Sequence, residues 1–469
     1  MDFPKLTSRL RILSIVMAGC ALLGAIGCTK SDASRKLAPA DAKQERLAWN
    51  LQTTVVAYDK VGEVNSAWDE PAKRALTEFA RARSGVSDPG ESWDYITKTN
   101  VDAAVAAGCQ DPLVQYLHVK SSLVYRLKGK ELADKYCDAA LALKDSGYPD
   151  IRKFYASLRA VQQVYSAYGQ SADRNTLNDV GGDLNGMLLR VLDDKTMPAG
   201  EMYDACSEGL NVYANDAGQF QGLYEQVEKK IFQNWPGEAV TWLVKGQGYI
   251  SLAWNARGSG TIDTVTEDGW KSFTNRLATA EEALNRAWEL DPKDVRIPLE
   301  FLGLELGQGQ GRERLELWFQ RAMQLDPASY DACWKKLYYL EPKWYGSAED
   351  LLAFGRECVN NPEWKGHVPL ILVDAHVALA RYVNKDERDG YWKRPEVWPD
   401  IKAAYDKFFE LNPNEVGYYH NYVWYAYHCE QWDALNELLP KLGTINYDYF
   451  GGADEFAQMV KQAKEHAKK

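Results

Sequence analysis

A six-residue phrase recurs in this chain at the ends of helix-like stretches. It reads Ala287-Trp288-Glu289-Leu290-Asp291-Pro292, then Ala322-Met323-Gln324-Leu325-Asp326-Pro327. A third copy, Phe408-Phe409-Glu410-Leu411-Asn412-Pro413, opens on Phe instead of Ala. The first two prolines are 35 residues apart. A helix–turn–helix unit that stacks on copies of itself needs about that length, so the spacing is the mark of a solenoid. Proline closes each unit because the residue before it is pushed out of the α region.

Helical periodicity extends well beyond the phrase. It predicts helices over 41–61, 66–83 and 92–107, with Asp88-Pro89-Gly90 as a break. Asp111-Pro112 opens another, through 127, since Asp caps a helix and Pro is tolerated in its first turn. Lys128-Gly129-Lys130 turns the chain and 131–144 returns, which makes these two helices antiparallel neighbours. A helix over 148–168 follows. Residues 170–200 hold Gly181-Gly182, Gly186 and Pro198, and form the least regular stretch. One helix at 183–192 and a soft boundary at 200 are expected there. No long run of Val, Ile and Thr alternates at period two, so strands are not expected.

From Glu201 onward the residues resemble tetratricopeptide repeats (TPR). In the unit ending at Pro327, Leu299, Leu302 and Gly303 match that family's first helix. Phe319 and Ala322 match its second, and Leu315 stands where the family has Ala. In the unit ending at Pro292, Trp242 and Gly246 match the first helix, and Ala280, Leu284 and Ala287 the second. An insertion rich in Gly and Thr at 257–270 separates them. A third unit carries Tyr422, Tyr425 and Ala426, a Gln431-Trp432-Asp433 turn, and a second helix to Leu439. The pattern is steric: Gly or Ala lets two backbones approach, and large residues fill the adjoining holes. The phrases Trp254-Asn255-Ala256-Arg257-Gly258 and Leu340-Glu341-Pro342-Lys343-Trp344-Tyr345-Gly346-Ser347 also resemble bacterial TPR-like proteins catalogued as a domain of unknown function.

The first residues carry a different message. Lys5, Arg9 and Arg11 precede an uncharged, mostly apolar run over 12–27. Ala25-Ile26-Gly27-Cys28 follows, then polar Thr29-Lys30-Ser31-Asp32. A basic start, a short apolar run and small residues at its exit make a secretory signal peptide. The run is short for a membrane span, which needs about 20 residues. Its end resembles a bacterial lipobox, with Ala25 where Leu is usual, which implies lipidation of Cys28. Met17-Ala18-Gly19-Cys20 is a weaker second match, inside the apolar run. The expected organisation is a leader over 1–27, a flexible tether over 28–45, a helical region over 46–200 and a TPR-like region over 201–469. Thr29 is not the Asp that retains such proteins at an inner membrane, so an exported, envelope location at an outer membrane facing the periplasm is expected.

The net charge is −11 and no basic stripe appears, so no nucleic-acid partner is expected. Gly258-Ser259-Gly260 follows a helix and leads into a Thr-rich loop, which is not the context of a phosphate-binding turn. His420 and His428 share a helix face about 12 Å apart by the helical rise, too far to share one metal ion. Adjacent acids such as Glu281-Glu282 and Glu349-Asp350 point apart on a helix, whereas glycosidase carboxylates must converge. Cys109, Cys137, Cys206, Cys333, Cys358 and Cys429 show no metal spacing. Buried free thiols are the favoured reading. The alternative is oxidation in an exported chain, with Cys109/Cys137 and Cys333/Cys358, 28 and 25 residues apart, within reach on neighbouring antiparallel helices. Within the chain's 16 Trp and 27 Tyr, the densest stretch is 418–427. Tyr418, Tyr422 and Tyr425 share the face expected to pack. His420, Trp424 and Tyr427 fall on other faces and, with Gln247 on an earlier first helix, are candidates for lining a partner-binding groove.

The expectation is an all-α, TPR-like helical-hairpin solenoid after a signal peptide and short tether. It would need no cofactor or metal and perform no catalysis. It would bind one or more protein partners and reach the membrane through its lipid. The alternatives are a SusD-like glycan-capturing lipoprotein and an α-helical toroid glycoside hydrolase. Both would use the abundant aromatics on sugars.

Overall fold

The computed structural model describes residues 39–86, 93–214, 216–384 and 387–466. The expected leader, Cys28 and the expected Asp88-Pro89-Gly90 break lie outside them. Every regular element among the described residues is helical. The N-terminal part runs α1 (Pro39–Thr53), α2 (Val55–Val61), α3 (Asp69–Arg83), α4 (Trp93–Ala106), α5 (Pro112–Ser121), α6 (Gly129–Lys144), α7 (Asp150–Tyr168), α8 (Arg174–Gly181) and α9 (Leu184–Val191). The C-terminal part runs α10 (Ala199–Asn211), α11 (Ala217–Asn234), α12 (Ala239–Arg257), α13 (Glu267–Leu290), α14 (Arg296–Gln308), α15 (Arg312–Leu325), α16 (Tyr330–Tyr339) and α17 (Ala348–Asn360). It ends with α18 (Ile371–Tyr382), α19 (Arg388–Trp392), α20 (Val397–Leu411), α21 (Tyr419–His428), α22 (Trp432–Leu438) and α23 (Ala453–His466).

Several boundaries differ from the expectation, each for a local reason. The tether expected to reach residue 45 is already helical from Pro39. Pro suits a first turn, and Asp41 there faces the positive end of the helix dipole. The single helix expected over 41–61 breaks at Thr54 (φ −118°, ψ −85°). The hydroxyls of Thr53 and Thr54 donate back to the carbonyls of Trp49 (3.1 Å) and Asn50 (2.7 Å), which competes with regular helix geometry. The helix opened by Asp111 stops at Ser121 because consecutive serines are weak helix formers. Within 170–200, α8 forms unexpectedly, capped by Asp173 accepting from the Thr176 amide at 2.9 Å.

All three copies of the proline phrase fold alike. Asp291, Asp326 and Asn412 donate their amides to the carbonyls of Ala287, Ala322 and Phe408 at 2.8, 2.9 and 2.8 Å. Each then leaves the helix for extended backbone, with φ near −140°, −140° and −133° for the three. A pre-proline residue must do so. A turn follows in each, closed by Asp294, Ser329 and Glu415 donating to the carbonyls of Asp291, Asp326 and Asn412. Asp291 and Asp326 brace that turn by accepting from amides two residues on. Asn412 instead donates its side-chain amide to the Gly366 carbonyl at 2.8 Å, tying its turn to the preceding unit.

The core is a chain of linked clusters. One joins Ala57 to Val180, the next Trp49 and Ile151 to Leu252, the next Leu243 to Ala378, and the last Leu370 to Ala463. The linking helices present opposite faces to two clusters. On α7, Ala156 and Ala160 face one and Phe154 and Leu158 the other. On α12, Leu243 and Val244 part in the same way, and on α18 Ile371 and Leu372. Contacts that pass from neighbour to neighbour are the defining property of a solenoid. The second cluster runs through residue 200, so the boundary expected there is not a gap in the core.

From α10 onward the helices pair as hairpins. The first helices α10, α12, α14, α16 and α18 touch in succession. The second helices α11, α13 and α15 make at most sparse contact with one another. First helices crowded together with second helices splayed apart put α10, α12 and α14 on the inner, concave side. The fold is an all-α helical-hairpin solenoid of the TPR-like kind.

Candidate binding groove on the first helices

The inner face is hollowed where α10, α12 and α14 meet. A cavity of about 510 Å³ opens there. On α12 it is lined by Val244, Gln247, Gly248, Ser251, Trp254 and Asn255. These recur every three or four residues, so they form one stripe of the helix. Ser207, Glu208 and Asn211 come from α10, and Glu300 from α14.

Two glycines set this geometry. A Cβ on Gly248 would lie 2.0 Å from the Tyr224 ring, so its absence lets α11 close against α12. Gly246 does the same toward α13, where a Cβ would meet Leu284 Cδ2 at 2.5 Å. Close approach at Gly246 was legible from the repeat pattern. At Gly303 the pattern misleads. A Cβ there meets only the Lys335 ammonium, at 3.8 Å. The close contact on α14 is at Gly307, against Leu277 at 2.8 Å.

Gln247 is the central polar group. Its amide nitrogen donates to the Tyr203 hydroxyl at 3.0 Å and to Glu300 Oε1 at 3.1 Å, spanning three successive first helices. A carboxylate only accepts, so Glu300 fixes which way the amide points. The Gln247 carbonyl oxygen is then left without a partner among the described residues. Tyr203 is held from its other side by the Arg296 guanidinium, 4.1 Å from the ring centre. Burial pushes its phenol up. Glu208 is balanced by Arg83 and Arg159, each at 3.6 Å. Trp254 contributes ring area while packing edge-on against Phe273 and Trp344.

The other three candidates lie elsewhere. His420, Trp424 and Tyr427 sit on α21, at the C-terminal end and away from Gln247, and each faces a different neighbour. His420 is buried; its Nε2 accepts from the Asn446 amide at 3.1 Å, while Nδ1 lies 3.1 Å from the Gly417 carbonyl. An amide can only donate to Nε2, so Nδ1 carries the proton and donates to Gly417. Trp424 lies against His428, with ring centres 3.8 Å apart, and near Trp392 of α19. Tyr427 donates to Gln462 of α23 at 2.8 Å. Faces not used by the repeat pattern are taken here by α19, α23 and the 3₁₀ turn Tyr447–Phe450, which the pattern does not contain. Ser251 and Asn255 were not singled out from sequence. They stand four and eight residues after Gln247, which is the helical signal that would have found them.

His376 is a structural group, locked between two neighbours. His376 is 1% exposed and bonds Tyr391 at 2.8 Å and Asp400 at 3.1 Å. Among the described residues no group of three or more His, Cys, Asp or Glu could hold a metal ion. None of the described helices is long and apolar enough to cross a membrane.

No protein-family model matches the chain, and no curated protein matches its sequence. The resemblance to the uncharacterised bacterial group is therefore without a matching family model. Among solved structures the chain is similar to a monomeric mutant of IFIT1 with Gppp-AAAA. The match is 10% identical and covers 92% of this chain and 96% of that one, with a TM-score of 0.27. The class is defined by the chain's own contacts: a TPR-like helical-hairpin solenoid with a groove of mixed polar and apolar lining on its first helices.

Proposed function

We propose that this chain is a non-catalytic scaffold that holds an extended segment of a protein partner along α10, α12 and α14. The observation behind this reading is the unpartnered carbonyl of Gln247, held in place by Tyr203 and Glu300. An extended peptide offers backbone N–H groups that must be paired when buried. Ser207, Ser251, Asn211 and Asn255 add further uncharged donors and acceptors beside it. Ser251→Trp fills the groove without touching the Gln247 bonds. Peptides selected from a displayed random library on the purified protein should share a motif and lose binding to this variant. Selected peptides that bind Ser251→Trp equally well would contradict the reading.

The scaffold is proposed to be exported and lipid-anchored through Cys28 in a bacterial cell envelope. A single acyl chain anchors only marginally, whereas the multiply acylated cysteine of a lipoprotein holds firmly. Cys28→Ala should move the protein from the membrane to the soluble fraction; full retention on membranes would remove the anchor from the proposal. Glycan capture is the second reading, favoured by Trp254 in the groove. Quenching of tryptophan fluorescence by an oligosaccharide panel would support it over peptide binding.

A further inference from the structure

A second cavity, of about 340 Å³, lies between α16, α18, α20 and α21. That is at the small end for ligand sites, which run roughly 300–1,000 Å³, and suits a small molecule or one side chain. Its walls are aromatic: Tyr330, Tyr405, Tyr418 and Tyr425, with His367 beside them. Its charged group is Asp374, on α18.

Asp374 receives one hydrogen bond among the described residues, from the Tyr330 hydroxyl. It has no ion pair among them. The other charges nearby are already engaged or more distant. His367 pairs with Glu415 at 2.8 Å. Arg381, two turns along α18, reaches Asp374 only through its field. Burial pushes the Asp374 carboxyl up, so its charge is held at a cost that a cation would relieve. The Asp374 charge is in turn felt by the phenols of Tyr405 and Tyr425 across the cavity.

A half-buried carboxylate in an aromatic box selects by charge. An anion is repelled. A neutral guest leaves the carboxylate uncompensated in a poorly solvated place. A cation gains both the carboxylate and the electron-rich rings, an attraction that strengthens as water is excluded. We propose that this cavity is a receptor for an organic ammonium group, with Asp374 as counter-ion and Tyr330, Tyr405, Tyr418 and Tyr425 as the cage. The ammonium can belong to a free alkylamine or to the side chain of a lysine. The site is separate from the groove at Gln247 and does not depend on how that groove is used.

Titration calorimetry on the intact protein tests this with butylammonium, tetramethylammonium, an end-blocked lysine peptide and neutral butanol. Butylammonium should bind, and butanol should not. Asp374→Asn keeps an acceptor for Tyr330 and should weaken the cation by about tenfold or more. Asn421→Trp keeps the charge, fills the cavity from α21, and should abolish binding while leaving the helical circular dichroism unchanged. Tighter binding of the lysine peptide than of butylammonium would assign the ammonium to a polypeptide; the reverse order would assign it to a small amine. The proposal is overturned if butanol binds as well as the cations, or if Asp374→Asn binds butylammonium like wild type. It is also overturned if no cation binds.

Discussion

Gly246 and Leu284 lock the first helix of a hairpin to its second: a Cβ on Gly246 would lie 2.5 Å from Leu284 Cδ2, and Leu284 is fully buried. Adding that atom forces the core to shift. Gly246→Ala should gain about 1 kcal/mol of helix propensity and lose about 1–3 kcal/mol to overpacking, for a net loss. Gly303→Ala meets only the Lys335 ammonium, at an ordinary contact distance of 3.8 Å, and should keep the gain. Urea midpoints of the two variants should therefore move in opposite directions. A shift of the same sign in both would refute the steric role of Gly246.

Glu201 ties the N-terminal helix to the middle of the chain. It is 0% exposed and accepts from Arg46 at 2.7 Å, Asn50 at 2.7 Å and Arg83 at 3.1 Å. Burial opposes its charge, yet Arg83, Arg46 and Arg152 together hold its carboxyl down to about 2 from an ordinary 4.5. A depressed acid stabilises the fold above its unfolded value, and that stability is lost as pH falls toward 2. Glu201→Gln should cost roughly 3–5 kcal/mol at pH 7, because buried Arg152 loses its nearby counter-charge and Arg46 and Arg83 keep only Asp204 and Glu208. The wild-type curve of stability against pH should fall toward the variant's between pH 5 and 2. Parallel curves would show that Glu201 is not the linked group.

The six described cysteines are free and buried. Burial pushes the thiols of Cys109 and Cys137 up to about 11 and that of Cys429 to about 12. Buried thiols with raised values hold little reactive thiolate. The native protein should leave Ellman's reagent unreacted at these six positions, and all six should titrate in the unfolded chain. Four would mean that two of the six had oxidised to a pair.

Gln247→Leu removes the bridge between Tyr203 and Glu300 and leaves Glu300 without its amide. Peptide affinity should fall by about tenfold, equivalent to about 1.4 kcal/mol, while stability changes by no more than roughly 1–3 kcal/mol. Fluorescence titration of a selected peptide against urea unfolding separates the two effects. Unchanged affinity would place the ligand elsewhere.

The parts of this fold legible in sequence are those fixed by local chemistry. The pre-proline rule placed Asp291, Asp326 and Asn412 outside their helices, and Asp111 marked a helix start through its cap. Gly246 was legible because a repeat pattern encodes a contact between two named positions. Gly303 shows the limit, since the same pattern offset by one turn moves the contact to Gly307. His420, Trp424 and Tyr427 were placed in a groove because periodicity gives a face but not its neighbour. That neighbour is supplied by segments far along the chain, such as Asn446 and Gln462. Asp374 gave no sequence signal at all. Its cavity exists only where four helices separated in sequence converge.

The central claim is that the stripe on α12 holds a protein segment. A photo-crosslinking side chain introduced in cells at Ser251, in the groove, tests it against one at Glu289, on the outer helix α13. The account predicts a discrete protein adduct from position 251 that is absent from position 289 and is competed away by a library-selected peptide. Identical adducts from both positions, or an adduct at 251 that the peptide leaves untouched, would contradict it.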